Sequence, residues 1–324
     1  MSERKSKLAT IIGGSGFLGT QLVQQMADQG FRIRVGVRRP DLAGHVRPLG
    51  SVGQIQPIQV NIRDFDSVAR AVKGADIVIN LAGIWHESGR QSFDAVNTLG
   101  AANVARAAAK AGVPSLIHVS ALGADPDAKS NFLRSKALGE KQVLAAFPKA
   151  VIFCPATMFG PGDRFFNLFG TFARLFPVMP VIGGKACHQP VYVVDVAGAI
   201  TRAAQGMAKA GTVYELGGPD ILTMKELMQK VVKQSRRRRP LVTWPMPIAQ
   251  LEGWFLQWLP NPWLTVDQAI FYASDEIVSE SAIAQKRTFE AFSIKPKALD
   301  ALLPTYMWRF AKHGQFERIE ATKA

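Results

Sequence analysis

Leu8-Ala9-Thr10-Ile11-Ile12-Gly13-Gly14-Ser15-Gly16-Phe17-Leu18-Gly19 is a short apolar run that passes straight into a cluster of four glycines. An amphipathic stretch continues through Met26, so the segment is predicted to be strand, tight turn and helix. Outward from it the same alternation recurs. Predicted strands at Phe31–Val37, Ile55–Val60, Ala75–Leu81, Leu116–Ser120 and Val151–Cys154 are separated by predicted helices at Phe65–Val72, Thr98–Ala111 and Phe132–Ala146. Strands alternating with helices specify an α/β fold, a Rossmann-type doubly wound parallel sheet.

Beyond Pro155 the pattern loosens. Phe165–Ile182 holds Arg174 and two prolines and reads as a buried or interfacial helix. Val191–Val194 and Thr212–Leu216 are expected to rejoin the sheet as strands. Gly217-Gly218-Pro219-Asp220 is a turn, and Thr223 with Glu226 forms a capping box for a helix to about Lys233. The predicted division is a dinucleotide-type domain over 1–160, with returning strands at about 187–216, and a smaller, mostly helical region over 217–324.

Composition narrows the class. Half the chain is apolar (48%), and the formal net charge is +14, which asks for an acidic partner. No aromatic RNA-binding strand or backbone-clamping glycine loop accompanies that charge, so nucleic acid is not expected. No run of roughly 18 uncharged apolar residues predicts a membrane-crossing helix. Cys154 and Cys187 suggest neither a disulfide framework nor a zinc site, and a reducing compartment is the simplest setting. His45, His86, His188 and His313 show no metal-ligand spacing; each is read as a surface or packing residue.

The glycines admit two overlapping spacings, Gly14/Gly16/Gly19 and Gly13/Gly16/Gly19. Either lets the backbone approach a pyrophosphate at a helix N-terminus, so Gly13, Ser15, Gly16, Phe17, Leu18 and Gly19 are candidate cofactor contacts. About 20 residues on, NAD-selective folds place an acid for the ribose 2′-hydroxyl. Here the second strand ends in Arg38 and Arg39 instead. Two guanidinium groups would fork around a 2′-phosphate, so the expected cofactor is NADPH. Asn61 and Ile62 would flank adenine. Leu81, Ala82, Gly83 and Pro155 end strands at the carboxyl edge of the sheet, where ligands bind in this fold.

His118-Val119-Ser120-Ala121, followed by Phe132-Leu133-Arg134-Ser135-Lys136, resembles an atypical or extended member of the short-chain dehydrogenase/reductase family. Active members use a Ser and a Tyr-x-x-x-Lys, the latter pair on one helical face. The resemblance assigns the serine to Ser120 and the lysine to Lys136, both also cofactor contacts. Phe132 stands at the tyrosine position. A phenyl ring keeps the packing but has no proton to transfer, and losing a general acid removes about 10²–10⁴-fold of rate. Ser120, Phe132 and Lys136 are therefore read as a vestigial triad. Tyr192 is the nearest tyrosine along the chain but is predicted on a different strand. Asp163 and Asp195 are read as structural.

Ile248, Leu251, Trp254, Phe255, Trp258 and Leu259 recur at helical spacing, a stripe that suits core packing or a membrane interface. The run Arg236, Arg237, Arg238, Arg239 with Trp254, Trp258 and Trp263 offers contact to an anionic membrane surface. The chain as a whole, including Leu264-Thr265-Val266-Asp267-Gln268 and Leu303-Pro304-Thr305-Tyr306-Met307-Trp308-Arg309-Phe310, is similar to the NADPH-binding accessory subunits of respiratory complex I. That resemblance implies a tightly held, non-catalytic NADPH and other complex I subunits as partners. It also implies a peripheral place at the membrane, on the cytoplasmic face in a bacterium or the matrix side in a mitochondrion. The alternative reading is a free-standing NADP(H)-dependent reductase or epimerase.

Overall fold

The computed structural model describes residues 6–260, 262–312 and 314. They form two compact units. The first holds residues up to Ala156 together with Val193–Gly217 and Ile277–Pro296; the second holds Thr157–Tyr192, Gly218–Glu276 and the described residues from Lys297 onward.

The first unit carries seven strands: β1 (Leu8–Ile12), β2 (Arg32–Val37), β3 (Ile55–Gln59), β4 (Ile77–Asn80), β5 (Ser115–Val119), β6 (Val151–Pro155) and β7 (Val213–Leu216). All pair in parallel, in the order β7-β6-β5-β4-β1-β2-β3. Its helices are α1 (Phe17–Asp28), α2 (Phe65–Val72), α3 (Leu99–Lys110), α4 (Asn131–Ala146) and α5 (Val193–Arg202). The doubly wound sheet expected from the alternation is present. The central strands are apolar on both sides because helices cover both faces. Val68 and Val72 of α2, Val104 and Ala108 of α3 and Val143 of α4 pack on Ile12, Val78 and Leu116. Fully burying each large aliphatic side chain there contributes about 1.5–3 kcal/mol.

The edge strand β7 is covered rather than left open. Glu215 accepts from Ser279 N (2.7 Å) and Ser279 Oγ (2.9 Å), and Arg287 donates to Val213 O at 2.7 Å. The segment Ile277–Pro296 thus belongs to the first unit although it lies far along the chain.

Two expected elements differ. Val191–Val194 does not rejoin the sheet: Val191–Tyr192 pairs only with Met158–Phe159, and Val193 already begins α5. The apolar run 191–194 is too short for its periodicity to separate strand from buried helix. Phe165–Ile182 is likewise not one helix. It is a helix at Phe165–Leu175, ended by Phe176 and Pro177, and then a strand at Met179–Ile182 paired with Leu241–Trp244.

In the second unit Asp163 is buried and accepts from Phe166 N (2.6 Å) and Asn167 N (3.3 Å), which starts the Phe165–Leu175 helix. The capping box at Thr223 and Glu226 forms as read and opens the helix Met224–Gln234. His188 is buried beside Glu276, its Nδ1 3.4 Å from a carboxylate oxygen that also accepts from Thr157 at 2.7 Å. His313 lies outside the described residues.

Helix α4 passes so close to its neighbour that a Cβ on Gly139 would lie 2.3 Å from the Asn97 carbonyl oxygen. Gly139→Ala should therefore cost about 1–3 kcal/mol in urea unfolding. Gly44→Ala, at an exposed position with nothing within 4 Å of the added methyl, should stay within about 0.5 kcal/mol of wild type.

Candidate functional site

The glycine turn joins the C-terminal end of β1 to the first turn of α1. Gly13 has φ +83°, a conformation that side chains disfavour, and its N–H donates to Gly36 O at 2.8 Å. A Cβ on Gly19 would lie 2.5 Å from both Gly13 O and Gly14 Cα. Gly13 and Gly19 are thus required by dihedral and by close approach respectively, which favours the Gly13/Gly16/Gly19 spacing. Gly16 provides no side-chain cap, and no acid stands in the first turn of α1. The positive end of that helix is left uncompensated by the protein, and the glycine cradle leads to it. The residues fit a dinucleotide phosphate.

Arg38 and Arg39 follow β2. Arg39 pairs with Asp41 at 2.8 Å, an exposed pair of little energetic weight. Arg38 donates to the side-chain carbonyl of Gln91. Ser15 O is 3.3 Å from His45 Nε2. Asn61 uses its side chain to accept from Arg63 N at 3.2 Å, and Ile62 is buried under Gly100 as part of the core. Of that pair, Ile62 has no side chain left for a ligand.

Leu81, Ala82 and Gly83 run past the end of β4. A Cβ on Gly13 would touch Ala82 N at 3.1 Å, and one on Gly83 would lie 3.6 Å from Lys136 Nζ. Lys136 is buried, and its Nζ donates to Val119 O at 2.9 Å. Pro155 ends β6, its carbonyl accepting from Leu122 N at 3.0 Å. The glycine turn, Ala82, Gly83, Ser120, Lys136 and Pro155 are therefore gathered at the C-terminal ends of β1, β4, β5 and β6.

Phe132 packs edge-on against Trp85, ring centroids 4.5 Å apart, and against Phe93 at 6.1 Å. Tyr192 belongs to the other unit, where its ring lies 5.6 Å from Phe159.

One residue escaped the sequence reading. Ser120 donates to Glu140, which also receives the Cys154 thiol at 3.5 Å. Burial pushes the Glu140 carboxyl above its usual range, against the opposing hydrogen bond from Ser120 and the charge of Lys136. Its spacing, four residues past Lys136 on one helix, was the available signal. Nearby His118 is buried, with Nδ1 3.1 Å from Asn80 Nδ2. Burial, with the Lys136 charge second, pushes it down to about 3, so the ring is neutral at ordinary pH. Among the described residues no cluster of His, Cys, Asp and Glu could hold a metal.

Residues 13–150 match a family model described as NAD(P)H-binding. A mitochondrial protein of Arabidopsis thaliana, NADH dehydrogenase (ubiquinone) 1 alpha subcomplex subunit 9, is 35% identical over 95% of this chain and 79% of its own length. The chain belongs to that subunit family. The Mus musculus member is 30% identical over 93% of this chain and 81% of its own length. A nucleoside-diphosphate-sugar epimerase structure from Staphylococcus aureus superposes with a TM-score of 0.72 at 16% identity, covering 91% of this chain and 99% of that one, a likeness of fold alone.

In this family member the cation run is not the open patch the sequence suggests. Arg237 Nε donates to Phe310 O and Arg239 Nε to Ala173 O, both at 2.9 Å, so these two arginines serve their own unit. The aromatic stripe also departs from the core-packing reading. The helix Met246–Leu256 buries only Ala249 and Gly253, and a Cβ on Gly253 would lie 2.7 Å from the Thr265–Val266 backbone. Ile248, Leu251, Trp254, Phe255 and Leu259 are exposed, and Trp258 is 78% exposed. Among the described residues no helix is long and apolar enough to cross a membrane.

Burial lowers Lys136 to about 8, with Glu140 the main opposing influence. The unfolded lysine stays protonated up to about 10.4. Below pH 8 folding therefore carries the full cost of a buried ammonium, and that cost fades as pH rises toward the unfolded value. Without nucleotide, the stability gap between Lys136→Met and wild type should change in favour of wild type by a few kcal/mol from pH 7 to pH 10. Urea unfolding at each pH measures it; a pH-independent gap would contradict a buried charged Lys136.

Proposed function

We propose that this chain is an NADPH-binding accessory subunit of respiratory complex I, in which the nucleotide is a held ligand and is not turned over by this chain. The observation that carries the reading is the match along 95% of the chain to a subunit of NADH dehydrogenase (ubiquinone). The geometry supports it. Gly13, Ser15, Gly16, Phe17, Leu18 and Gly19 would cradle the pyrophosphate, Arg38 and Arg39 the 2′-phosphate, and Asn61 with the Ile62 backbone the adenine side. Leu81, Ala82, Gly83, Ser120, Lys136 and Pro155 would line the nicotinamide half. When bound, the nucleotide supplies a hydride at its nicotinamide. Phe132, held by Trp85 and Phe93, supplies no accompanying proton. Ligand binding of this kind stabilises the fold by mass action, as RT ln(1 + [L]/Kd).

Other complex I subunits are the partners in this reading, and the chain sits peripherally at the matrix side of the mitochondrial inner membrane or the cytoplasmic face of a bacterial one. The exposed Trp254, Trp258 and Trp263 face, with Arg236 and Arg238, is where an anionic membrane surface would be met. Ile248, Leu251, Trp254 and Phe255 stand exposed on the one helix Met246–Leu256, and exposed apolar residues grouped in this way mark an interaction surface.

Two outcomes are expected. Tagged chain extracted from its native membranes in mild detergent should migrate with NADH:ubiquinone oxidoreductase activity; migration alone would overturn the reading. Arg38→Ala/Arg39→Ala should weaken NADPH by about 100-fold or more while leaving NADH binding nearly unchanged, as the loss of two charge-assisted bonds of about 1.5–3 kcal/mol each would require. Fluorescence titration of both nucleotides reads this; equal losses would remove the 2′-phosphate assignment.

A further inference from the structure

In the first unit β4 ends at Asn80, but the chain does not turn directly into α3. It runs out as Ile84–Phe93, folds back where Ser88 N donates to Gln91 O (3.1 Å) and Gln91 N to Ser88 O (3.0 Å), and returns through a π-turn at Asp94–Thr98. Gly89, with φ +55°, makes the corner.

This excursion is fastened at three places by groups from different parts of the sheet. At its root Asn97 accepts from Ile84 N and donates to Ser135 on α4, both at 3.0 Å. Next to the root Trp85 lies edge-on against Phe132, at the start of the same helix. At its tip Gln91 accepts from Arg38, just past β2, and Arg63, just past β3, donates to Arg90 O at 2.7 Å. In the sheet β4 lies on one side of β1, and β2 and β3 lie on the other. A segment rooted beyond β4 and bonded at its tip by the side chains of Arg38 and Arg63, from beyond β2 and β3, reaches toward the far side of β1. The Gly13–Gly19 turn stands at the C-terminal end of β1.

We propose that Ile84–Phe93 is a strap over the dinucleotide-phosphate groove, and that Gln91 is the positioning residue that both closes it and aims Arg38 at the 2′-phosphate. The inference rests on the reading that NADPH occupies this groove. The chemistry of Gln91 suits the task. A neutral amide orients Arg38 without cancelling its charge, whereas Arg39 already has a carboxylate partner in Asp41. A nucleotide under the strap leaves only when the strap lifts. Lifting breaks the Arg38–Gln91 and Arg63–Arg90 bonds and the Trp85–Phe132 contact, so release includes the cost of a local opening.

The test compares wild type, Gln91→Ala and Gln91→Glu, with ligand-free melting temperatures reporting that each is folded. Gln91→Ala should release NADPH about tenfold faster with association little changed. Gln91→Glu keeps the strap pinned but neutralises Arg38, so its preference for NADPH over NADH should fall about tenfold. Trypsin cleavage after Arg90, followed by mass spectrometry, should be slowed by NADPH in wild type and much less in Gln91→Ala. Wild-type release rates in Gln91→Ala, or equal Arg90 cleavage with and without NADPH, would overturn the strap while leaving the cofactor reading intact. A wild-type chain that binds no NADPH would overturn both.

Discussion

At Gly19 a single methyl group would fall 2.5 Å from the Gly13 carbonyl oxygen, and the dinucleotide unit is built around that exclusion. Because α1 rests directly on the backbone of the turn, its first turn stands at the end of β1 with neither a side-chain cap nor an acidic residue. The parallel order then places the ends of β2 and β4 on either side. Each residue that would touch a nucleotide inherits its position from this one close approach: Arg38 from β2, Ala82 and Gly83 from β4, and Lys136 through its bond to the end of β5.

Keeping Lys136 is costly to the fold, since burial disfavours its ammonium and lowers the lysine to about 8. A chain with no use for a cation there would be more stable with an apolar side chain of similar volume. Phe132, four residues before Lys136 on the same helix, has no proton to offer. Stability given up at a site and offset by what the site binds is the pattern expected of a structural nucleotide.

Much of this was legible beforehand. The glycine turn, the alternation of strands and helices, and the Phe132/Lys136 spacing follow from local periodicity and motif, and each strand and helix expected in the first 155 residues appears within a few residues of its place, while the helical turns at Pro40–Leu49 and Asp94–Thr98 do not announce themselves. What was not legible depends on long-range packing. Nothing in the run Val191–Val194 tells that only Val191–Tyr192 pairs as a strand while Val193 starts a helix against α1. Glu140 shares a helix face with Lys136, yet its contacts with Ser120 and Cys154 come from two other strands. The arginine run reads as four equivalent cations, and only the fold turns Arg237 and Arg239 onto carbonyls of their own unit. Conversely, the stripe from Ile248 to Leu259 has the spacing of a core helix and stays exposed, because Gly253 lets the helix pack through one narrow seam.

In the proposed function NADP(H) is held tightly by this chain inside a larger assembly. The most direct measurement is to purify the assembly containing the tagged chain from native membranes, remove free nucleotide, denature it in acid and alkali, and quantify the nucleotides released. NADP(H) is expected in amounts matching the chain, released only on denaturation. No NADP(H), or NAD(H) in its place, would contradict it.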